Sequence, residues 1–361
     1  MVECFLCYYV LIKVVSGVLG MKIGIDFGSS NFTVFVEGKG IVMSEPSIVV
    51  CDSFSGKPLA MGNAAKKMLG KLPASMYAVN PIKDGIVNNY DIACMMLRTY
   101  LNKLCANKLF RPNILMCVPS TVTELEKRTI FDAVIDAGAA RACFVDESLA
   151  AAIGAGVSLT QPEGTFVCDI GGGTADCAVV TMGNIAVSSN EKVGGNDFTK
   201  TISDYIFHEH NIEVGYETAD YIKRTVGTAV FRNEEVAVVA GGKSCETGLP
   251  VLFEITSTEV YWILKSHVDK MFNCIKNVFE KTPPELISDI FENGIILTGG
   301  TANLYGLDRF IEWNTGIRTY KGEHPENCAV LGLGRLLKDL NYLENNGYIF
   351  KTREDDSEED E

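Results

Sequence analysis

From residue 21 onward the chain alternates short apolar runs with glycine turns, and the runs have the length of strands. Lys22-Ile23-Gly24-Ile25-Asp26-Phe27 ends on a carboxylate and a Gly28-Ser29-Ser30-Asn31 turn, and a second β-rich run follows over residues 32–36. This is the pattern of a strand–turn–strand hairpin. It recurs at Thr165-Phe166-Val167-Cys168-Asp169-Ile170, which turns through Gly171-Gly172-Gly173-Thr174 into a strand over residues 177–181. A third apolar run, residues 294–297, turns through Gly299-Gly300-Thr301-Ala302 into a predicted helix. Helix starts are legible between these turns. Thr123-Glu124-Leu125-Glu126 reads as a capping box opening a helix with apolar positions Leu125, Ile130, Phe131, Val134 and Ile135. Thr282-Pro283-Pro284-Glu285 predicts a second box with proline in the first turn. Asp146-Glu147 precedes Ser148-Leu149-Ala150-Ala151-Ala152-Ile153, a helix with almost no polar face and therefore buried.

The turns carry the chemistry. A hairpin of small residues can lay backbone N–H groups and hydroxyls around a phosphate, with the carboxylate at the strand end facing a metal-bound water. Taken alone, Gly28-Ser29-Ser30-Asn31 reads equally as an ordinary hairpin turn. Three successive glycines have little packing value and a high entropic cost, so Gly171-Gly172-Gly173 point to close backbone approach by a ligand. Asp26 and Asp169 lie 143 positions apart, which implies two similar halves, each presenting an acid and a phosphate loop to one cleft. The third turn suits an adenine or ribose against exposed backbone. Neither GxGxxG nor GxxxxGK[ST] occurs, so the Rossmann and P-loop solutions are unsupported. Glu147 has two readings: an acid that complements the helix dipole, or a carboxylate that orients an attacking water beside the phosphate loops.

Composition bounds the partners. Across 361 residues the formal net charge is −14, which argues against a nucleic-acid binder. The stretch 351–361 holds seven acids and two bases, a like-charge tail that either solubilises or binds a partner. Twelve cysteines are scattered through apolar runs and read as reduced core residues of a cytosolic protein. Residues 1–20 are almost wholly apolar, but Glu3 comes first and Lys13 interrupts the run, unlike a signal peptide or a spanning helix. They read as a membrane-associating segment or as translated sequence ahead of a true start at Met21.

Together the two Asp-Gly hairpins, the Glu before a small-residue helix and the late Gly-Gly turn resemble the actin/hexokinase/DnaK superfamily. More narrowly, the chain is similar to the bacterial MreB family of actin-like rod-shape proteins. The matching stretches are Gly38-Lys39-Gly40-Ile41-Val42, Ser44-Glu45-Pro46-Ser47, Pro81-Ile82-Lys83-Asp84-Gly85-Ile86, and the runs 118–128, 150–156, 169–174 and 280–300. The resemblance implies an α/β actin-like fold with two RNase H-like halves, each carrying a small inserted subdomain around a nucleotide cleft. The first half would comprise residues 21–161 and 332–350, with its insertion at about 49–81. The second would comprise 162–331, with its insertion at about 198–261.

Carried over residue by residue, the resemblance implies ATP contacts from Ser29, Ser30 and Asn31 and from Gly171, Gly172, Gly173 and Thr174. Asp220, Tyr221, Ile222, Lys223, Gly299, Gly300, Thr301 and Ala302 would flank base and ribose. Asp26 and Asp169 would hold Mg2+ through water, and Glu147 would align the hydrolytic water. It also implies an ATPase whose filaments lie against the inner face of the cell membrane and work with cell-wall elongation membrane proteins. Leu109 and Phe110, between Lys108 and Arg111, would insert at that surface. The competing class is a sugar or acid kinase of the same superfold. Five positions depart from the family pattern: Ser148 for proline, Thr301 for a third glycine, Asp220 for Glu, and Ala175-Asp176 for Thr-Glu. Thr301 would crowd a ligand that relies on bare backbone, and Ser148 removes a rigid helix start.

Overall fold

The computed structural model describes residues 20–106, 111–119 and 122–354. The chain opens with β1 (Lys22–Phe27), β2 (Asn31–Val36) and β3 (Gly40–Pro46), an antiparallel meander. A small insertion follows: β4 (Val49–Asp52), β5 (Pro58–Met61), helix α1 (Asn63–Lys66) and β6 (Met76–Val79). The hairpin β7 (Ile82–Lys83) and β8 (Ile86–Val87) leads to α2 (Tyr90–Cys105), β9 (Asn113–Val118), α3 (Glu124–Asp136), β10 (Arg141–Asp146) and α4 (Glu147–Ala155). The main sheet runs β10-β9-β1-β2-β3, with β9 and β10 parallel to β1, and the insertion forms a separate sheet β5-β4-β6.

The second half repeats this plan. A meander of β11 (Thr165–Ile170), β12 (Ala175–Thr181) and β13 (Asn184–Glu191) precedes α5 (Gly195–His210), β14 (Ile212–Glu213), α6 (Tyr216–Val226), β15 (Ala237–Ser244) and β16 (Pro250–Thr256). Then come α7 (Ser257–Lys281), α8 (Pro284–Asn293), β17 (Ile295–Thr298), α9 (Leu307–Thr315), β18 (Thr319–Lys321), α10 (Cys328–Leu336) and α11 (Leu340–Asn345). The order β13-β12-β11-β17-β18 is that of the first sheet, strand for strand, and β14-β15-β16 is again a separate small sheet. The fold is therefore α/β and actin-like, with two similar halves, as the spaced hairpins predict, and one inserted sheet in each, as the resemblance implies.

Each half has its own apolar core, around Ile23, Phe32 and Met96 in one and Phe166, Phe198 and Ile202 in the other. A third cluster joins them, built from α4, α10 and strands of both sheets. Each fully buried side chain of this kind contributes about 1.5–3 kcal/mol. The joint is backbone against backbone: a Cβ placed on Gly154 would lie 1.8 Å from the Cys328 carbonyl oxygen, and one on Gly332 would lie 1.8 Å from that of Ala150. Small residues in α4 thus set the closeness of the two halves. Gly332→Val is expected to cost more than about 3 kcal/mol, because a main-chain carbonyl cannot yield. Thermal unfolding of the purified variant checks this, and an unchanged midpoint would show that the helices do not meet so closely.

Two local expectations are corrected. The Thr123–Glu126 box forms, with Thr123 N–H donating to Glu126 Oε2 at 2.8 Å and Glu126 N–H to Thr123 Oγ1 at 3.3 Å. Thr282 does not cap α8: its hydroxyl donates to the Val278 carbonyl at 2.7 Å, serving the end of α7, and Pro284 alone starts the next helix. The second box stands instead at Thr256–Glu259, opening α7. The stretch read as an acidic tail also begins inside the folded body. Lys351 exchanges main-chain hydrogen bonds with Ala142, and Arg353 pairs with Asp136. Lys351 is thus held through its main chain and Arg353 through its guanidinium. Among the described residues all ten cysteines are free thiols, seven of them buried.

Candidate functional site

The two meanders aim their first turns at each other across a cleft of about 1830 Å³ lined by both halves. The turns close alike: Gly28 N–H donates to the Asn31 carbonyl at 3.0 Å and Gly171 N–H to that of Thr174 at 2.9 Å. They lie close enough that a Cβ on Gly172 would meet Ser30 Oγ at 1.9 Å, and one on Gly173 would meet Ser29 Oγ at 2.8 Å. Glycine here is a requirement of the close approach between the turns. The β7–β8 hairpin covers the first turn, with Gly85 N–H donating to Ser29 Oγ at 3.1 Å. The third turn leaves β17 through a short 3₁₀ turn, Gly300–Asn303, and its Thr301 hydroxyl donates to the Gly171 carbonyl at 2.7 Å. All three glycine turns therefore converge on one place.

Three acids line the cleft floor and a fourth stands behind them. Asp26 is next to last in β1, Asp169 stands at the corresponding position of β11, Glu147 opens α4, and the buried Asp176 faces Asp169 across the β11–β12 ladder. Burial pushes Asp26 and Asp176 up to about 6. It pushes Asp169 up to about 8, with the charges of Asp26 and Asp176 adding to the effect. Burial, then the charges of Asp176, Asp169 and Asp26, hold Glu147 well above the usual carboxylate range. Only a few partners compensate: Thr298 Oγ1 donates to Asp169 at 3.1 Å and Asn190 Nδ2 to Asp176 at 2.6 Å. Such a cluster favours a cation or a proton. Among the described residues no three His, Cys, Asp or Glu side chains converge as a direct metal cage. The donor set suits an ion that keeps its waters.

At the far end, α6 supplies Asp220 and Lys223. Asp220 pairs with Lys223 at 2.8 Å and Arg224 at 2.7 Å. Burial works to raise it, but these two cations outweigh burial and hold its carboxyl below the usual range. Lys223 also donates to the Gly195 carbonyl at 2.9 Å and Thr199 Oγ1 at 2.8 Å, tying α6 to the start of α5. Nearby, the Arg232 guanidinium lies 4.1 Å from the Tyr305 ring centroid and that of Arg309 lies 4.8 Å from it.

Most sequence candidates line this cleft: Asp26, Ser29, Ser30, Asn31, Glu147, Asp169, Gly171 to Thr174, Asp220, Lys223, Gly299, Gly300 and Thr301. Three do not. Ile222 and Ala302 are fully buried in the core of the second half, because α6 and the 3₁₀ turn rotate them inward. Tyr221 is half exposed and outside the lining. Leu109 and Phe110 lie outside the described residues. Sequence reading missed Asp176, Asn196, Tyr216 and the Arg232–Tyr305–Arg309 stack. Asp176 was visible as the acid after the glycine turn; the others depend on contacts between distant segments.

The sequence profile of the family described as MreB/Mbl protein matches residues 20–345. The chain belongs to the MreB/Mbl family. It is 39% identical over 325 residues to the cell shape-determining protein Mbl of Bacillus subtilis (strain 168), covering 89% of this chain and 97% of that protein. The crystal structure of MreB5 of Spiroplasma citri bound to ADP superposes with a TM-score of 0.86 at 32% identity, covering 91% of this chain and 99% of that one. The same protein bound to AMPPNP gives 0.84 at 31% identity, with the same coverage of both chains. MreB/Mbl membership places the chain among actin-like cell shape-determining proteins and takes it out of the sugar and acid kinases that share the superfold.

As a member of MreB/Mbl, the chain shows what its departures do. Thr301 spends its hydroxyl on the Gly171 carbonyl and knits the third turn to the second. Asp220 is locked by two cations. Ser148 is fully buried with its hydroxyl unpartnered among the described residues, which costs about 1–3 kcal/mol at the first turn of α4. Asp146, preceding Glu147, makes no side-chain cap bond there.

Proposed function

We propose that the cleft binds ATP with Mg2+, and that the bound triphosphate favours head-to-tail association of subunits into filaments whose hydrolysis shifts the equilibrium back. The observation that carries this is the pair of matched hairpin turns facing each other above four under-compensated carboxylates. Ser29 to Asn31 and Gly171 to Thr174 would cradle the phosphates. Asp220, Lys223 and the Gly299 to Thr301 turn would bound the ribose and base. Asp26 and Asp169 would hold magnesium through its waters, where the ion neutralises phosphate charge. Glu147 would align the attacking water, its raised proton affinity bringing it toward the range of a general base. MreB5 of Spiroplasma citri, bound to ADP and to AMPPNP, supports the nucleotide class.

The filaments would lie on the inner face of the cytoplasmic membrane and act with cell-wall elongation membrane proteins to maintain rod shape. No nucleic-acid partner fits a chain of net charge −14. Acidic protein is repelled by anionic lipid, so binding would rest on Leu109 and Phe110. That pair contributes only about 3 kcal/mol per subunit, which makes filament valency necessary. Flotation with anionic vesicles and ATP tests this reading. The double variant Leu109→Ala, Phe110→Ala should leave the lipid fraction while its filaments persist in negative stain. Unchanged flotation would place membrane contact elsewhere.

A further inference from the structure

One carboxamide sits where both halves and one insertion meet the phosphate turns. Asn196 is the second residue of α5, and its N–H donates to the Gly172 carbonyl at 2.8 Å, so its position is fixed by the second turn. Its Oδ1 accepts from Ser30 Oγ of the first turn at 3.0 Å, across 166 residues of chain. The same oxygen accepts from the Tyr216 hydroxyl of α6 at 3.0 Å. The carboxamide is placed with its oxygen toward both hydroxyls, which donate to it, and its Nδ2 amine takes no protein partner among the described residues. That amine faces the glycine turn: a Cβ on Gly172 would lie 3.3 Å from it. Asn196 lines the cleft, and the Lys66–Glu217 pair that also joins the halves, at 3.5 Å, is exposed and worth little.

We propose that Asn196 is a positioning residue that reads the terminal phosphate: Nδ2 donates to it while Oδ1 holds Ser30 and Tyr216, so a triphosphate clasps the two halves and a diphosphate does not. This rests on the nucleotide reading of the cleft. The side chain must be an amide for the task. A carboxylate would keep both hydroxyl partners but would lose the donor and set a negative charge against the phosphate.

Calorimetric titration of wild type, Asn196→Asp and Asn196→Ala with Mg-AMPPNP and with Mg-ADP tests it. Asn196→Asp should weaken AMPPNP binding about 10- to 100-fold while ADP changes less than about threefold, and Asn196→Ala should show a smaller loss of the same selectivity. Hydrogen exchange at the Ser30 and Tyr216 segments should slow with AMPPNP in wild type and not in Asn196→Asp. A purely structural role would weaken both nucleotides equally and would overturn the proposal, as would an unchanged AMPPNP to ADP ratio. Should Asn196→Asp fail to fold, the ratio in Asn196→Ala decides. Wild type that binds neither nucleotide would bring down the nucleotide reading itself, a result distinct from an unchanged ratio.

Discussion

Glu147→Ala is expected to slow ATP hydrolysis by roughly 10²- to 10⁴-fold, the range lost when a positioned acid–base group is removed. Glu147 opens α4 and lines the cleft together with both phosphate turns. Nucleotide affinity should change little, because the cradle is backbone and hydroxyl. A second signature separates this role from simple damage: Mg-AMPPNP should raise the unfolding temperature of the variant as much as that of wild type. Single-turnover phosphate release together with thermal unfolding measures both. A wild-type release rate would mean that another group positions the water.

The second large effect is on stability against pH. Asp169 is pushed up to about 8 and Asp26 and Asp176 to about 6, from an ordinary 3.8. The folded state therefore holds protons that the unfolded chain releases, and stability falls wherever the folded state binds more protons. The contribution is intact below about pH 4, is lost progressively through pH 6, and is gone above about pH 8. The ligand-free protein should thus lose unfolding temperature as pH rises from 5 to 8.5. Asp169→Asn should flatten that slope, because it removes the most strongly raised of these three groups and some of the repulsion on Glu147. Saturating Mg2+ with nucleotide should flatten it as well. A wild-type profile that is level or rising in ligand-free protein would show that the acids do not share one buried site.

What the sequence made legible follows from what repeats or is local. The hairpins at Asp26 and Asp169 were readable because each carries its own strand, acid and turn, and their recurrence announces two halves. The Thr123–Glu126 box was readable because both partners lie within one turn. Thr282 carried the same letters and failed, because the preceding helix claimed its hydroxyl first. Ile222 and Ala302 were assigned to the site along with their motif neighbours, yet helical geometry turns adjacent residues to opposite sides, and apolar side chains take the inward one. Asn196 gave no signal at all: its meaning lies in Ser30 and Tyr216, which come to it only through the closure of two halves. The charge pattern likewise mis-set the start of the tail, because Lys351 and Arg353 look like part of a solvated run until Ala142 and Asp136 are seen beside them.

The central claim is that nucleotide in the cleft drives self-association. High-speed pelleting of the full chain over a range of protein concentrations, with Mg-ATP and without nucleotide, tests it most directly. With Mg-ATP a micromolar critical concentration is expected, above which pelleted protein rises linearly, and without nucleotide the chain should stay in the supernatant. Pelleting that is identical with and without Mg-ATP, or none at any concentration with it, would contradict the account.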